Sequence, residues 1–113
     1  MKTATHEING ITILSISGNI AQESVAVFRN RFSDLIERKK LKIILDLGDA
    51  AYISSMCLAI IVESKNKLTQ VHGELKITVS KGLIRNLLEM TNLTKKIEVY
   101  DTVEEAVASF ETI

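Results

Sequence analysis

A chain of 113 residues suits one domain, expected to run over 1–113, and its 46% hydrophobic and 25% charged residues are those of a soluble globular protein with one core. Aromatics are only 4% and Trp is absent, so the core must be aliphatic. Lys and Arg number 14 against 14 Asp and Glu, which predicts no long-range attraction to nucleic acid or to an anionic membrane.

One cysteine excludes an internal disulfide and a cysteine-built metal site. The opening MKTATHEINGITIL has one Lys but no apolar core followed by a small-residue cleavage site, so it does not read as a secretory signal. The longest apolar run, Met56 to Val62, is far shorter than the roughly 20 residues a bilayer requires. The expected compartment is the cytoplasm, with no insertion into a membrane.

Residues 3–8 and 11–17 read as strands on either side of Asn9-Gly10, the preferred pair for a tight hairpin turn, whose two central positions need positive φ. Gly18-Asn19 is expected to end the second strand. Residues 22–38 predict a helix, because Val25, Phe28, Phe32, Leu35 and Ile36 fall on one stripe.

The most apolar stretch, Leu41 to Val62, changes character halfway. Leu41, Ile43, Leu45 and Leu47 alternate as in a strand, and Ile44 adds apolar weight to the other face. A connection from Ala50 to Ile53 then leads into a helix over about 55–71. That helix is apolar nearly all round in its first half, polar in its second, and stopped by His72-Gly73.

A strand with Leu75, Ile77 and Val79 follows, then a helix over about 82–91 with the stripe Leu83, Ile84, Leu87 and Leu88. Ile97, Val99 and Tyr100 make a short strand, and Asp101 or Thr102 caps a last helix bearing Val103, Ala106, Val107 and Phe110. The order β-β-α-β-α-β-α-β-α implies an α/β domain with right-handed crossovers and about four helices. Its sheet is mixed but mostly parallel, because the opening hairpin must add an antiparallel strand.

Catalytic constellations are sparse. His6 and His72 lie far apart and far from any nucleophile in sequence. No His or carboxylate cluster has metal-ligand spacing, and the glycines form no phosphate-binding loop. Asp46 and Asp49 sit where α/β proteins often place sites, but two carboxylates in a loop read first as turn formers. Cys57, among Met56 and Leu58 to Val62, reads as a buried small hydrophobe.

Ser54 and Ser55 stand at a helix start, where unpaired N–H groups and the positive dipole end favour an oxygen acceptor or an anion. One of them is expected to be the N-cap. A phosphate on one of them is the functional reading, and sequence physics alone does not choose between the two.

The element order, the Gly-Asn-Ile-Ala after the second strand, and ILDLGDAAYISSMCLAIIV resemble the STAS domain, in particular the bacterial anti-sigma factor antagonists. That family carries an aromatic or apolar pair, then Asp-Ser-Ser-Gly-Leu-Gly or a close variant, then an apolar helix. Aligning through Leu58 matches Tyr52-Ile53 to the pair and Ser55 to the serine that an anti-sigma factor kinase phosphorylates. Ser54 stands at the usual Asp, Met56 at a variable position, Cys57 and Ala59 at the usual glycines. Ala21 falls where many members carry Asp.

The resemblance implies a non-enzymatic antagonist without a cofactor. It would bind a serine-kinase-type anti-sigma factor and release a sigma factor until phosphorylated at Ser55, with Ser54 as second choice. The expected docking surface is Asp46, Asp49, Tyr52, Ser54, Ser55, Met56 and Cys57, and a second copy of the chain is a further eligible partner. Two other readings accompany it. One is an unphosphorylated STAS subunit of a signalling or lipid-transport assembly. The other is a small ligand-binding domain or enzyme using Asp46, Asp49, Ser55 and Cys57 around one pocket.

Overall fold

The hairpin at Asn9-Gly10 opens the fold, with φ of 53° and 80° at those two residues. It joins β1 (Lys2–Ile8) to β2 (Ile11–Ile20) in antiparallel register, Ile8 opposite Ile11 and Lys2 opposite Ser17. The computed structural model describes residues 1–111. The remaining strands are β3 (Lys42–Asp46), β4 (Ala50–Ile53), β5 (Glu74–Thr78) and β6 (Val99–Tyr100). They lie in the order β1-β2-β3-β5-β6, all parallel except β1, and β4 pairs with β2.

Two strand expectations change together. β2 does not stop at Gly18-Asn19; it continues to Ile20, because β4 pairs alongside its last residues. Gly18 makes this continuation feasible. Its φ of 82° accompanies a register shift between Gly18 and Asn19, the irregularity that glycine tolerates without steric cost. Ala50 to Ile53, expected as a plain connection, is a strand whose two alanines and short length leave no alternation to detect.

The helices are α1 (Val25–Glu37), α2 (Ser55–Gln70), α3 (Leu83–Met90) and α4 (Val103–Glu111). A 3-10 turn at Gln22–Ser24 precedes α1, so the α-helix begins at Val25, the first residue of its apolar stripe, and not at residue 22 as expected. Thr102, not Asp101, caps α4: its Oγ1 accepts the Glu105 N–H at 3.1 Å.

Each face of the sheet carries its own core. On one face Leu14, Ile16, Ile43, Leu45 and Ile77 pack against Phe28 and Phe32 of α1, Cys57 and Ile61 of α2, and Leu88 of α3. The two Phe rings meet edge to face with centroids 5.4 Å apart. On the other face Ile11, Ile13 and Ile44 are covered by Ala106 and Val107 of α4. The apolar weight of Ile44 therefore has its expected destination.

Helix faces are narrower than the apolar runs implied. Met56 and Ala59 face solvent although the run around them is apolar, Val71 is exposed, and Ser64 is buried instead. In α3, Ile84 and Leu88 are buried while Leu83 stays 60% exposed. At the end of α2 it is His72, with φ 62°, that takes the left-handed conformation. Gly73 serves by its lack of a side chain: a Cβ there would stand 2.8 Å from the Leu41 carbonyl oxygen and 2.8 Å from Leu68 Cδ2.

Candidate functional site

β2 and β4 run parallel and deliver the chain to the start of α2. Tyr52 is opposite Asn19 and Ile53 opposite Ile20, and the Ser54 N–H donates to the Ile20 carbonyl at 2.8 Å. Ser54 is thereby held in extended conformation, φ −76° and ψ 157°, as an N-cap must be. Its Oγ accepts the Cys57 N–H at 3.2 Å, and its carbonyl accepts the Leu58 N–H at 3.0 Å. Ser54 is buried and structural.

Ser55 is the first residue of α2 and is exposed. Its hydroxyl stands at the positive end of a 16-residue helix, where an added negative charge is favoured. Beside it, Tyr52 and Met56 are each 46% exposed. Met56 lies over a shallow depression with Ala59 and Ile60, flanked by the Arg29–Glu63 ion pair at 3.4 Å. Cys57 is fully buried, with its Sγ 3.9 Å from the Ala21 carbonyl oxygen. It packs as a core residue under the helix start.

The two aspartates take different roles. Asp46 knits the sheet: its Oδ1 accepts from the Gly48 N–H at 3.0 Å and the Thr78 hydroxyl at 3.0 Å, and its Oδ2 accepts from the Ser15 hydroxyl at 3.3 Å. Ser15, Asp46 and Thr78 stand in register on β2, β3 and β5. Asp49 is exposed in the β3–β4 turn, where its carbonyl accepts the Gly18 N–H at 3.0 Å. Asp46 and Asp49 share a depression of about 310 Å³ with Lys2, Ser15 and Ser17, and neither Ser55 nor Cys57 lines it. The four residues of the small-ligand reading thus do not converge on one pocket.

Tyr52, Ser55 and Met56 are each exposed around the start of α2, whereas Asp46 and Cys57 are structural groups. His6 is exposed on β1, and His72 is one helix length from Ser55, about 24 Å for 16 residues. Among the described residues, no group of three or more His, Cys, Asp or Glu is placed to hold a metal ion. No described helix is long and apolar enough to cross a membrane.

Sequence reasoning missed the contribution of α3 to this end of the molecule. Leu83, Gly82 and Lys81 line a small depression of about 150 Å³ with Gly48, Ala50 and Ala51. The available signal was Leu83 directly after Gly82, at a helix start too early in the turn to reach the core.

The sequence profile of the STAS domain matches residues 2–106. The chain belongs to the STAS domain family. Among STAS relatives, BtrV of Bordetella bronchiseptica, provisionally named an anti-sigma factor antagonist, is 27% identical over 112 residues, covering 99% of this chain and 97% of its own. Among solved STAS structures, an anti-sigma factor antagonist from Mycobacterium paratuberculosis superposes with a TM-score of 0.91 at 19% identity, over 98% of this chain and 94% of that one. The anti-sigma factor antagonist SpoIIAA, in its unphosphorylated form, superposes with a TM-score of 0.78 at 16% identity, over 99% of this chain and 100% of its own. SpoIIAA of Bacillus is also known in a phosphorylated form, with a TM-score of 0.75 at 15% identity over 96% and 99% of the two chains. At these identities the structural likeness concerns the STAS fold, with its mixed sheet and four helices.

Proposed function

We propose that this STAS protein is a single-domain anti-sigma factor antagonist of the cytoplasm, acting by binding and not by catalysis. It docks on an anti-sigma factor of the serine-kinase type through Tyr52, Ser55 and Met56, with Asp49 at the rim, so that a sigma factor is released. Phosphorylation of Ser55 switches the docking off. The observation that carries this reading is the division of labour between adjacent serines: Ser54 Oγ is committed to the helix cap, whereas Ser55 is exposed. A kinase would transfer the γ-phosphoryl group of ATP to Ser55 Oγ, leaving ADP and a proton.

The phosphate would add about −1.5 to −2 charge at the helix N-terminus. The dipole there favours it, so the domain need not refold. A partner seated on Tyr52 and Met56 would instead meet a new charge in its interface, which costs binding energy. The names of the full-length relatives support the antagonist role, and the two forms of SpoIIAA support a phosphate-dependent one.

The test pairs this protein with a kinase-type anti-sigma factor and ATP. Mass spectrometry should place one phosphate on Ser55, and calorimetry should show binding by the unmodified protein and at least about tenfold weaker binding by Ser55→Asp, a difference of about 1.4 kcal/mol. No phosphate on residues 54–55, together with unchanged binding by Ser55→Asp, removes the switch. No binding by the unmodified protein removes the antagonist role.

A further inference from the structure

β1 is an edge strand: it pairs with β2 on one side, and among the described residues no strand lies on its other side. The hairpin turn determines which of its backbone groups face that open edge. In a two-residue turn the flanking residues, here Ile8 and Ile11, exchange backbone hydrogen bonds. Hydrogen-bonded and non-hydrogen-bonded pairs then alternate along the ladder. Ile8, His6, Ala4 and Lys2 point their N–H and C=O groups toward β2, and Thr3, Thr5 and Glu7 point theirs outward.

Those outward residues form a self-complementary set. A second β1 laid antiparallel about a two-fold axis perpendicular to the sheet can place Thr5 opposite Thr5, and Thr3 opposite Glu7 of the second copy. Every outward N–H and C=O of Thr3, Thr5 and Glu7 is then paired. A register shifted by two residues either way leaves Thr3 or Glu7 without a partner. The side chains agree with the same register. Thr3 is the residue whose hydroxyl accepts the Arg31 Nε–H of α1 at 3.1 Å, so Glu7 of the second copy arrives beside the Arg31 guanidinium, twice by symmetry. Glu7 stays on the α1 face, where Lys40 already pairs with it at 2.8 Å. β1 contains no Pro, the residue that commonly blunts an open edge. The chain has formal net charge +0, so two copies do not repel over distance.

We infer that the open edge of β1 is a homodimer interface, in which two copies pair through Thr3, Thr5 and Glu7 into one continuous sheet. The interface is independent of the docking surface proposed at α2, because it uses none of Tyr52, Ser55 or Met56. A strand edge without a buried apolar patch gives a reversible, concentration-dependent dimer, not an obligate one.

The experiment is sedimentation velocity on the full chain over a concentration series, with amide hydrogen exchange at each end of the series. The mean sedimentation coefficient should rise toward that of a dimer. The amides of Thr3, Thr5 and Glu7 should gain protection with concentration, while those of Ala4 and His6 stay protected throughout. Thr5→Pro removes an outward N–H and no bond to β2, so it should keep the circular dichroism of the native fold and lose the dimer.

The register is tested by disulfides formed with oxidised glutathione, Cys57 being buried. Thr5→Cys should cross-link to itself, since hydrogen-bonded pairs bring Cα atoms to about 5.5 Å. Thr3→Cys and Glu7→Cys should cross-link with each other when mixed but not alone. A chain that remains monomeric throughout, a dimer that survives Thr5→Pro, or Thr3→Cys cross-linking to itself in preference to Glu7→Cys would each overturn the interface.

Discussion

The Ser54 hydroxyl accepts the Cys57 N–H at 3.2 Å, and this bond separates the two serines at the start of α2 into a structural and an exposed one. Capping bonds of this kind contribute about 1 kcal/mol. Ser54→Ala should therefore lower unfolding free energy by about 0.5–2 kcal/mol, while Ser55→Ala should change it by less than about 0.5 kcal/mol, as surface substitutions do. Urea denaturation of the two variants against the parent measures the difference, and equal losses would mean the cap is shared.

Tyr52 and Met56 are large, half-exposed and outside the core cluster. Tyr52→Ala and Met56→Ala should leave the urea midpoint nearly unchanged. Each should weaken binding to the anti-sigma partner by more than about 1 kcal/mol if it lies at the centre of the interface, as buried aromatic anchors commonly do. Calorimetric titration of the variants reads this directly. Unchanged affinity in both would move the interface away from the start of α2.

The Glu98–Tyr100 contact predicts a pH signature. The phenol O–H of Tyr100 donates to the Glu98 carboxylate and, with Lys76 adding attraction, holds that carboxyl below the ordinary value of 4.5 against the opposing effect of burial. The same bond raises the Tyr100 phenol above 10.0. A depressed carboxylate contributes stability that is full above its unfolded pKa and lost as pH falls through the folded value. A raised phenol contributes stability that is full below its unfolded pKa and lost as pH rises through the folded value. The stability difference between parent and Tyr100→Phe should thus be greatest between about pH 5 and 9 and shrink outside that window. It should stay under about 1 kcal/mol because Glu98 is solvent-facing. Carboxyl NMR of Glu98 should show its titration moving upward in the variant.

Gly73 and His72 exchange the roles a sequence reader would give them. Gly73→Ala drives a Cβ to 2.8 Å from the Leu41 carbonyl and should cost about 1–3 kcal/mol, the usual range for overpacking. His72→Gly relieves a left-handed residue but loosens the unfolded chain, so it should stay within about 1 kcal/mol of the parent. Thermal unfolding of both variants distinguishes the two effects, and a Gly73→Ala variant as stable as the parent would show that the α2–β5 turn can shift to make room.

Much of the architecture was legible in the chain because it is set by local rules. Asn9-Gly10 demands a hairpin through its positive φ values, the apolar run from Leu41 to Leu47 demands a strand buried on both faces, and the stripe from Val25 to Ile36 demands an amphipathic helix. The STAS pattern around Ser55 was likewise readable by resemblance, since it is a contiguous motif. Where apolar residues crowd one segment, periodicity loses its contrast. Met56 and Leu83 look like core by composition, yet face solvent because each helix can present only one face to the sheet.

What the sequence by itself determined is the order of the helices and of every strand but β4, the mostly parallel sheet with its antiparallel opening strand, and a helix beginning at a serine pair. Only the tertiary structure decided which serine is the cap, that Ala50 to Ile53 is a strand beside β2, that Asp46 ties three strands together, and which groups of β1 face an open edge. The reason is physical. Each of these depends on a partner distant in the chain, such as Ile20 for Ser54, Asn19 for Tyr52, or Ser15 and Thr78 for Asp46. Hydrogen bonds between distant residues leave no period in the sequence to read.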